Sequence, residues 1–271
     1  MHEPEPILTA DLFAPLNERL VAVLRGLRDD EWLAPTNAGT WTVKDVAAHL
    51  LDTTLRRVAS WRDSWSVRPP DGASLGPWIN DMNREWVDAM RRVSGRILTD
   101  MLERWGAEMA QIAESLDPYR SSIGVSWAGQ ETSPLWFDLA RELTEKWHHQ
   151  QQIRDATKRP PLYDKQFFGP VMATFAWGLP HAYRDVDAPV GTTVVFQVMQ
   201  EAEGTWSIVR ERARWMLYEG AAPRPTTTIA MRGDIAWRLF TKGLRRGSAA
   251  ADVEGDPRYA EALFRMLCIV A

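Results

Sequence analysis

Most of the first 157 residues of this 271-residue chain lie in long segments whose apolar residues recur at helical spacing. None of these segments alternates apolar and polar residues as a half-buried strand would. Successive amphipathic helices can bury their apolar faces by packing antiparallel around a common interior. The pattern therefore predicts a helical bundle here, with helices at residues 12–27, 43–63, 78–93, 98–116 and 134–157.

Two of these helices carry recognisable start signals. Thr42 precedes the second helix, with Asp45 three residues further on, and threonine is a favoured N-cap residue. Ser133 precedes Pro134, and proline favours the first position of a helix. We therefore expect the second helix to begin at Val43 and the fifth at Pro134.

The character of the chain changes at Lys158-Arg-Pro-Pro161, because two prolines cannot extend the preceding helix. We place a domain boundary there, which divides the chain into residues 1–159 and 160–271. Segments rich in β-branched and aromatic residues occur only in the second part and predict its strands. The expected fold class is α+β with two domains, a helical bundle followed by a small α+β domain.

In the second domain we expect one further helix, then a sheet, then two short helices. Gly204 is expected in the turn between the first two strands, and the sheet is expected to be antiparallel. The short helices start at Gly233-Asp234 and at Gly255-Asp-Pro257, where Asp caps and Pro presets the first turn. The first helix is predicted at residues 167–183, and the strands at 192–199, 206–211, 214–218 and 226–231.

Composition excludes several classes of function. The net charge is -4 and the basic residues are scattered, so no electrostatic footprint for nucleic acid is present. No stretch approaches the roughly 20 apolar residues of a membrane span, and the acidic start does not resemble a signal peptide. We expect a cytoplasmic protein without membrane or nucleic-acid partners. The single cysteine, Cys268, can form no internal disulfide and is interpreted as a core residue.

Three residues in the helical half suggest a metal site. Glu145 and His149 are four residues apart, so a helix projects both from one face. On a wheel of about 100° per residue, His149 lies about 40° from the apolar stripe and Glu145 about 40° further round. His148 points about 100° away from His149 and is not an expected ligand.

His49 supplies the third ligand from another helix. It lies at the edge of the apolar stripe of the helix at residues 43–63, beside Val46, and so can face the interior. Two histidines and one carboxylate can hold a divalent ion and leave one coordination position open for chemistry. The predicted metal site is therefore His49, Glu145 and His149, with zinc expected first and nickel or iron as alternatives.

The same residues carry a family resemblance. The segments Trp41-Thr-Val-Lys-Asp-Val-Ala-Ala-His49-Leu and Glu145-x-Trp-x-His149-x-x-Gln-Ile-Arg154 resemble the DinB-like metalloprotein superfamily, specifically its mycothiol-dependent maleylpyruvate isomerase branch. Trp237-Arg-Leu-Phe-Thr-Lys242-Gly and Val253-Glu-Gly-Asp-Pro257 are similar to the small α+β domain of that branch, which itself resembles sterol carrier proteins. The resemblance implies a four-helix bundle in which His49, Glu145 and His149 hold zinc.

The resemblance also implies a function. The expected protein is a metal-dependent isomerase or transferase of the maleylpyruvate isomerase type, which activates mycothiol or another low-molecular-weight thiol for isomerisation or S-transfer on a small electrophilic substrate. No catalytic or thiol-binding residue is assigned. One departure is Gln152, which stands where many relatives have Asp, so an orienting carboxylate contact is not expected there.

Two other classes of function remain open. A ligand-binding module could use the sterol-carrier-like domain and the fourteen tryptophans to hold an apolar molecule, with a structural metal or none. A regulatory protein could have kept the fold and lost the reaction. A fourth protein ligand would indicate a structural site, and His148 is the candidate. Arg238 or Lys242 could bind polar groups of a substrate, although solvated charges are the simpler interpretation.

Overall fold

The computed structural model describes residues 1–200, 203–244 and 249–269, which form helices, a two-stranded sheet and a five-stranded sheet. They belong to two compact units, each assembled from separated parts of the chain. The helical unit contains Thr9–Asp117 and Glu145–Leu162, and the mixed unit contains Met1–Leu8, Pro118–Thr144 and Tyr163–Ile269. The mixed helix and sheet content agrees with the predicted fold class, whereas the boundary at residue 159 stays a prediction.

The helical unit contains the predicted helices, and the second of them has the predicted bounds. The helices α1 and α2 both pack against α4, and α3 packs against α2. Their shared core is apolar and includes Leu24, Val46, Leu50, Leu102 and Ile153. The helices are α1 (Phe13–Arg25), α2 (Val43–Asp63), α3 (Leu75–Met90), α4 (Gly95–Ser115) and α5 (Leu135–Ala156), the last contributing its part from Glu145 onward.

The start of α2 is fixed by a capping box, as the sequence predicts. The Thr42 hydroxyl accepts a hydrogen bond from the Asp45 amide at 3.3 Å, and the Asp45 carboxylate accepts one from the Thr42 amide at 3.0 Å. Arg91, at the end of α3, also donates to Asp45 at 3.0 Å. These contacts set the first residue of α2 and therefore which of its residues face the interior.

The predicted start of α5 at Pro134 is wrong. Strand β2 (Thr132–Pro134) pairs antiparallel with β1 (Ser121–Ile123), and α5 begins one residue later at Leu135. Strands of three residues are too short to show an alternating pattern, so this hairpin could not be predicted.

The five-stranded sheet of the mixed unit has the order β5-β4-β3-β6-β7. The expectation of a fully antiparallel sheet is wrong, because β3 and β6 run parallel while the other pairs are antiparallel. Alternation within a strand does not encode strand order, and mixed sheets are common. The strands are β3 (Thr193–Met199), β4 (Gly204–Arg210), β5 (Trp215–Glu219), β6 (Thr227–Arg232) and β7 (Asp252–Gly255).

Two details of this sheet differ from the prediction. Gly204 is the first residue of β4 and not part of the preceding turn. The edge strand β7 was not predicted, because its residues are mostly polar or glycine and largely exposed, with no apolar face to produce a period of two.

Helices cover part of this sheet. Phe240, on a helix that follows β6, packs against Phe196 of β3 and Phe175 with ring centroids 5.8 Å apart in each case. Asp256 caps the turn at Pro257 by accepting from the Arg258 amide at 3.1 Å, as predicted. The helices are α6 (Lys165–Ala176), α7 (Leu179–Ala182), α8 (Gly233–Phe240) and α9 (Ala260–Arg265).

The helix predicted at residues 167–183 is divided into α6 and α7 at Trp177 and Gly178. Cys268 is buried and its sulfur lies 3.9 Å from the Phe175 carbonyl oxygen, in agreement with a core role. Of the helices in the described ranges, none combines the length and the apolar character that a membrane span requires.

Candidate metal centre

The helices α2 and α5 bring the three predicted residues of the metal site together within the helical unit. The Glu145 Oε1 atom lies 3.1 Å from His149 Nε2 and 3.4 Å from His49 Nε2. One ligand atom from each residue can be chosen so that all three lie within 4.8 Å of one another. Since His49 and Glu145 are ninety-six residues apart, this convergence depends on the packing of the two helices and not on local sequence.

Burial and hydrogen bonds shift the pKa values of His49 and Glu145. His49 and His149 are buried, whereas the Glu145 side chain is a quarter exposed. Burial lowers the pKa of His49 to about 4, so this imidazole is neutral at pH 7. Burial alone would raise the pKa of Glu145, but hydrogen bonds with His149 and His49 outweigh it and hold the pKa well below its usual value. The site therefore offers neutral imidazole and a carboxylate, the donor set of many divalent metal sites.

A hydrogen bond from the back of the His149 ring identifies the ligating nitrogen. His149 Nδ1 lies 2.7 Å from the Gln152 amide oxygen, which can only accept, so Nδ1 carries a proton. His149 Nε2 lies on the other side of the ring, 3.1 Å from Glu145 Oε1. The arrangement therefore fits a divalent ion bound through Nε2, the nitrogen that faces Glu145.

Gln152 makes the orienting contact with His149 that was not expected from the sequence. Metal-bound histidines commonly donate their second N–H to a carboxylate or carbonyl oxygen, and here a side-chain amide accepts it. The place of Gln152 three residues after His149 on the same helix could have predicted this contact, but only a carboxylate was considered there. His49 has no equivalent support: its Nδ1 is buried and has no hydrogen-bond partner among the residues that the structure describes.

Aromatic rings enclose the cluster. The Trp41 ring centroid lies 5.0 Å from that of His49, and the His49 and His149 rings meet edge to face at 4.8 Å.

His148 is also buried, with Nδ1 3.9 Å from Glu145 Oε2, but it does not join the three-residue ligand group. The prediction that His148 is not a ligand stays open to test.

Lys146 of α5 reaches past apolar neighbours to a polar partner. Its Nζ donates to the Thr54 hydroxyl at 2.8 Å, and its stem lines a small cavity with Leu16 and Leu50. The stem is thus in an apolar environment while the charged end has a polar partner.

Arg238 and Lys242, the suggested substrate-binding residues, both lie in the mixed unit. The Arg238 guanidinium lies over the Trp237 ring at 4.6 Å and donates to the Asp234 carbonyl oxygen at 2.9 Å. Lys242 follows α8 with a left-handed backbone, at φ 61°. Their part in substrate binding stays a prediction.

Three polar residues near the cluster were not predicted. On α2, Asp52 and Arg56 follow His49 by three and seven residues, and Asn83 lies on α3. Arg56 Nη2 forms an ion pair with Asp52 at 3.0 Å and donates a hydrogen bond to the Asn83 amide oxygen at 3.2 Å. Spacings of three and seven residues place side chains on one helical face, so this pattern could have been read from the sequence.

Two helices of the helical unit bring two histidines and a glutamate together. This arrangement is typical of helical metalloproteins. Comparison with known families is more specific. Residues 13–154 match the sequence model of the mycothiol maleylpyruvate isomerase N-terminal domain. The match covers more than half of the chain, so the protein belongs to this family, as the sequence motifs indicated.

Solved structures share the fold over nearly the whole chain. A mycothiol-dependent maleylpyruvate isomerase, solved also as a histidine-to-alanine mutant, matches with TM-scores of 0.55 and 0.56. Each match covers 92% of this chain and 93% of the other at 12% identity. The family thus contains an enzyme, in agreement with the predicted class.

A curated relative is more similar in sequence. A protein of Geobacillus kaustophilus (strain HTA426), which carries the provisional name metal-dependent hydrolase, is 28% identical over 143 residues. That alignment covers 52% of this chain and 77% of the relative.

Proposed function

We propose that the protein is a metal-dependent enzyme that activates mycothiol or another low-molecular-weight thiol for isomerisation or S-transfer on a small electrophilic substrate. The observation that carries this proposal is the convergence of His149 Nε2, Glu145 Oε1 and His49 Nε2, with Gln152 bonded to the other side of the His149 ring. Membership of the mycothiol maleylpyruvate isomerase N-terminal domain family supports the choice of thiol. Zinc is the first choice of metal, since histidine and carboxylate ligands suit it, and nickel and iron are alternatives.

Each side chain of the site has a separate role in binding the metal ion. His49 is neutral at pH 7 and so can bind a metal without first losing a proton. Gln152 holds the His149 ring in the tautomer that leaves Nε2 available. Glu145 supplies negative charge that partly neutralises a divalent cation. When bound, such an ion with three protein ligands supplies an open position at which a thiol is deprotonated and becomes nucleophilic.

We further propose that the helical unit is the DinB-like four-helix bundle of the family and that the mixed unit is its sterol-carrier-like domain. The packing of α1, α2 and α4 supports the first assignment, and the sheet with α8 on it supports the second. A domain boundary at residues 159 and 160 falls close to the point at which the chain passes from the helical unit to the mixed unit, after Leu162.

Metal content tests the proposal directly. Protein purified without an affinity tag should contain one zinc or similar ion per chain by elemental analysis, and His49→Ala and His149→Ala should both lose it. His148→Ala is the matched control, because it removes a buried neighbouring imidazole and should retain the ion. Metal absent from the wild type, or retained in both ligand variants, would overturn the three-ligand site. A loaded protein would then be assayed for mycothiol-dependent isomerisation of maleylpyruvate.

One observation favours the alternative of a ligand-binding or regulatory protein without catalysis. The mixed unit contains a cavity of about 440 Å³, lined by Trp127, His181, Arg184, Met266 and other residues of that unit. This volume suits a small organic molecule. Metal-loaded protein that shows no turnover with any thiol, but binds a ligand in this cavity, would support the alternative.

A further inference from the structure

Beyond His49, helix α2 carries a guanidinium that is only partly hydrogen-bonded. Arg56 Nη2 forms an ion pair with the Asp52 carboxylate at 3.0 Å and donates to the Asn83 amide oxygen at 3.2 Å. Asp52 and Asn83 are buried, while the Arg56 side chain keeps about a third of its surface exposed, at 34%. A dissolved molecule can therefore reach the exposed part of this side chain, whereas its Nε atom is buried.

The direction of the side chain brings this charge toward the metal centre. Seven residues separate His49 and Arg56, which places them within about 20° on the helix and about 10 Å apart along its axis. Side chains on a helix lean toward its N-terminus, so Arg56 leans back in the direction of His49.

The hydrogen bonds of Arg56 are incomplete. Nη2 pairs with Asp52 and donates to Asn83, and Nε is buried without a hydrogen-bond partner within the described part of the chain. The arginine is thus held through Nη2, while the exposed third of its side chain leaves the guanidinium open to a small anion from the solvent side.

We propose that Arg56 binds a carboxylate of the substrate beside the metal centre and so selects small organic anions. The inference rests on the proposed function and deepens it by naming a residue that determines specificity. The planar guanidinium matches a carboxylate in shape and charge, which a lysine ammonium does not. If Arg56 were only structural, its role would be to join α2 to Asn83 on α3.

Binding of succinate to cobalt-substituted protein, followed by the visible absorption of the metal, tests this assignment. Succinate offers one carboxylate to Arg56 and a second to the ion. Arg56→Gln should weaken succinate binding about tenfold or more, because a charged hydrogen bond is lost, and Arg56→Lys should be intermediate. Arg57→Gln is the matched control, since it removes the same charge from the next residue of α2, and its affinity should stay within about twofold of the wild type.

The outcomes separate the inference from the proposed function. Wild type that holds no cobalt, or whose absorption does not respond to a thiol, would refute the proposed function and the role of Arg56 with it. A normal response to thiol, with no succinate binding or with equal affinity in Arg56→Gln, would overturn the role of Arg56 alone. A lower unfolding temperature in Arg56→Gln with unchanged succinate affinity would assign the arginine to structure.

Discussion

At the scale of single residues, the tautomer of His149 depends on one amide oxygen. Gln152 accepts from Nδ1 at 2.7 Å, and Nε2 is the nitrogen that faces Glu145. The helical period of the apolar residues predicted that His149 faces the interior, but it did not predict the contact between Gln152 and the His149 ring. The sequence therefore indicates which residues could bind the metal more readily than which residues orient them.

Gln152→Leu should weaken metal binding about 10- to 100-fold, because it removes the acceptor that fixes the His149 ring. Competition with a chromophoric chelator measures the affinity. Gln152→Asp, which places a carboxylate at the same position, should bind at least as tightly as the wild type if the shorter side chain reaches Nδ1. Equal affinity in the wild type and Gln152→Leu would show that the hydrogen bond does not orient the ligand.

At the scale of helices and strands, the sequence predicted those elements whose pattern is long enough to read. Helix α2 has the predicted bounds because the apolar stripe and the capping pair at Thr42 point to the same start. The hairpin of β1 and β2 and the edge strand β7 were missed, since each has at most four residues per strand and little apolar alternation. The parallel pairing of β3 with β6 depends on contacts distant in sequence.

The capping box of α2 predicts a stability effect. Thr42→Ala should lower the free energy of unfolding by about 0.5–2 kcal/mol, because the Asp45 amide loses its side-chain acceptor. Thr42→Ser keeps the hydroxyl and should recover most of that loss. Urea unfolding followed by circular dichroism measures both variants. If Thr42→Ala and Thr42→Ser were equally stable, the hydroxyl would not contribute as a cap.

An ion pair after α1 predicts a pH dependence. Hydrogen bonds from Arg159 first, and then from the Arg28 amide, lower the pKa of Glu31 from 4.5 to about 2. A carboxyl whose folded pKa is lowered stabilises the fold above its unfolded pKa, and this contribution disappears as the pH falls through the folded value. The Glu31 contribution should therefore be complete near neutral pH and lost between pH 4.5 and 2.

Comparison with Glu31→Gln isolates that contribution. The wild type should be more stable than the variant at pH 7, and the difference in free energy of unfolding should shrink as the pH falls below 4.5. Urea unfolding at several pH values measures this difference. A gap that stays constant with pH would contradict the assignment to a charged Glu31.

At the scale of the whole molecule, family membership and the candidate metal-binding residues could be inferred from residues far apart in sequence. His49, Glu145 and His149 were predicted because helical periodicity fixes directions within a helix, and the fold then brings α2 and α5 together. The division of the chain into two compact units could not be predicted from the sequence in this way. Both units combine separated parts of the chain, and α5 contributes to both, whereas a change in composition marks only a single point.

Metal binding should also appear in the stability of the whole protein. An ion that binds the folded state alone stabilises it by an amount that depends on its concentration relative to Kd, about 2.7 kcal/mol at one hundred times Kd. Metal-free protein should therefore gain about this much on adding zinc at that excess, measured by thermal or urea unfolding, and lose it again with a chelator. His49→Ala should show no such gain, while Arg57→Gln should respond as the wild type does. An equal gain in His49→Ala would mean that zinc stabilises the protein through a different site.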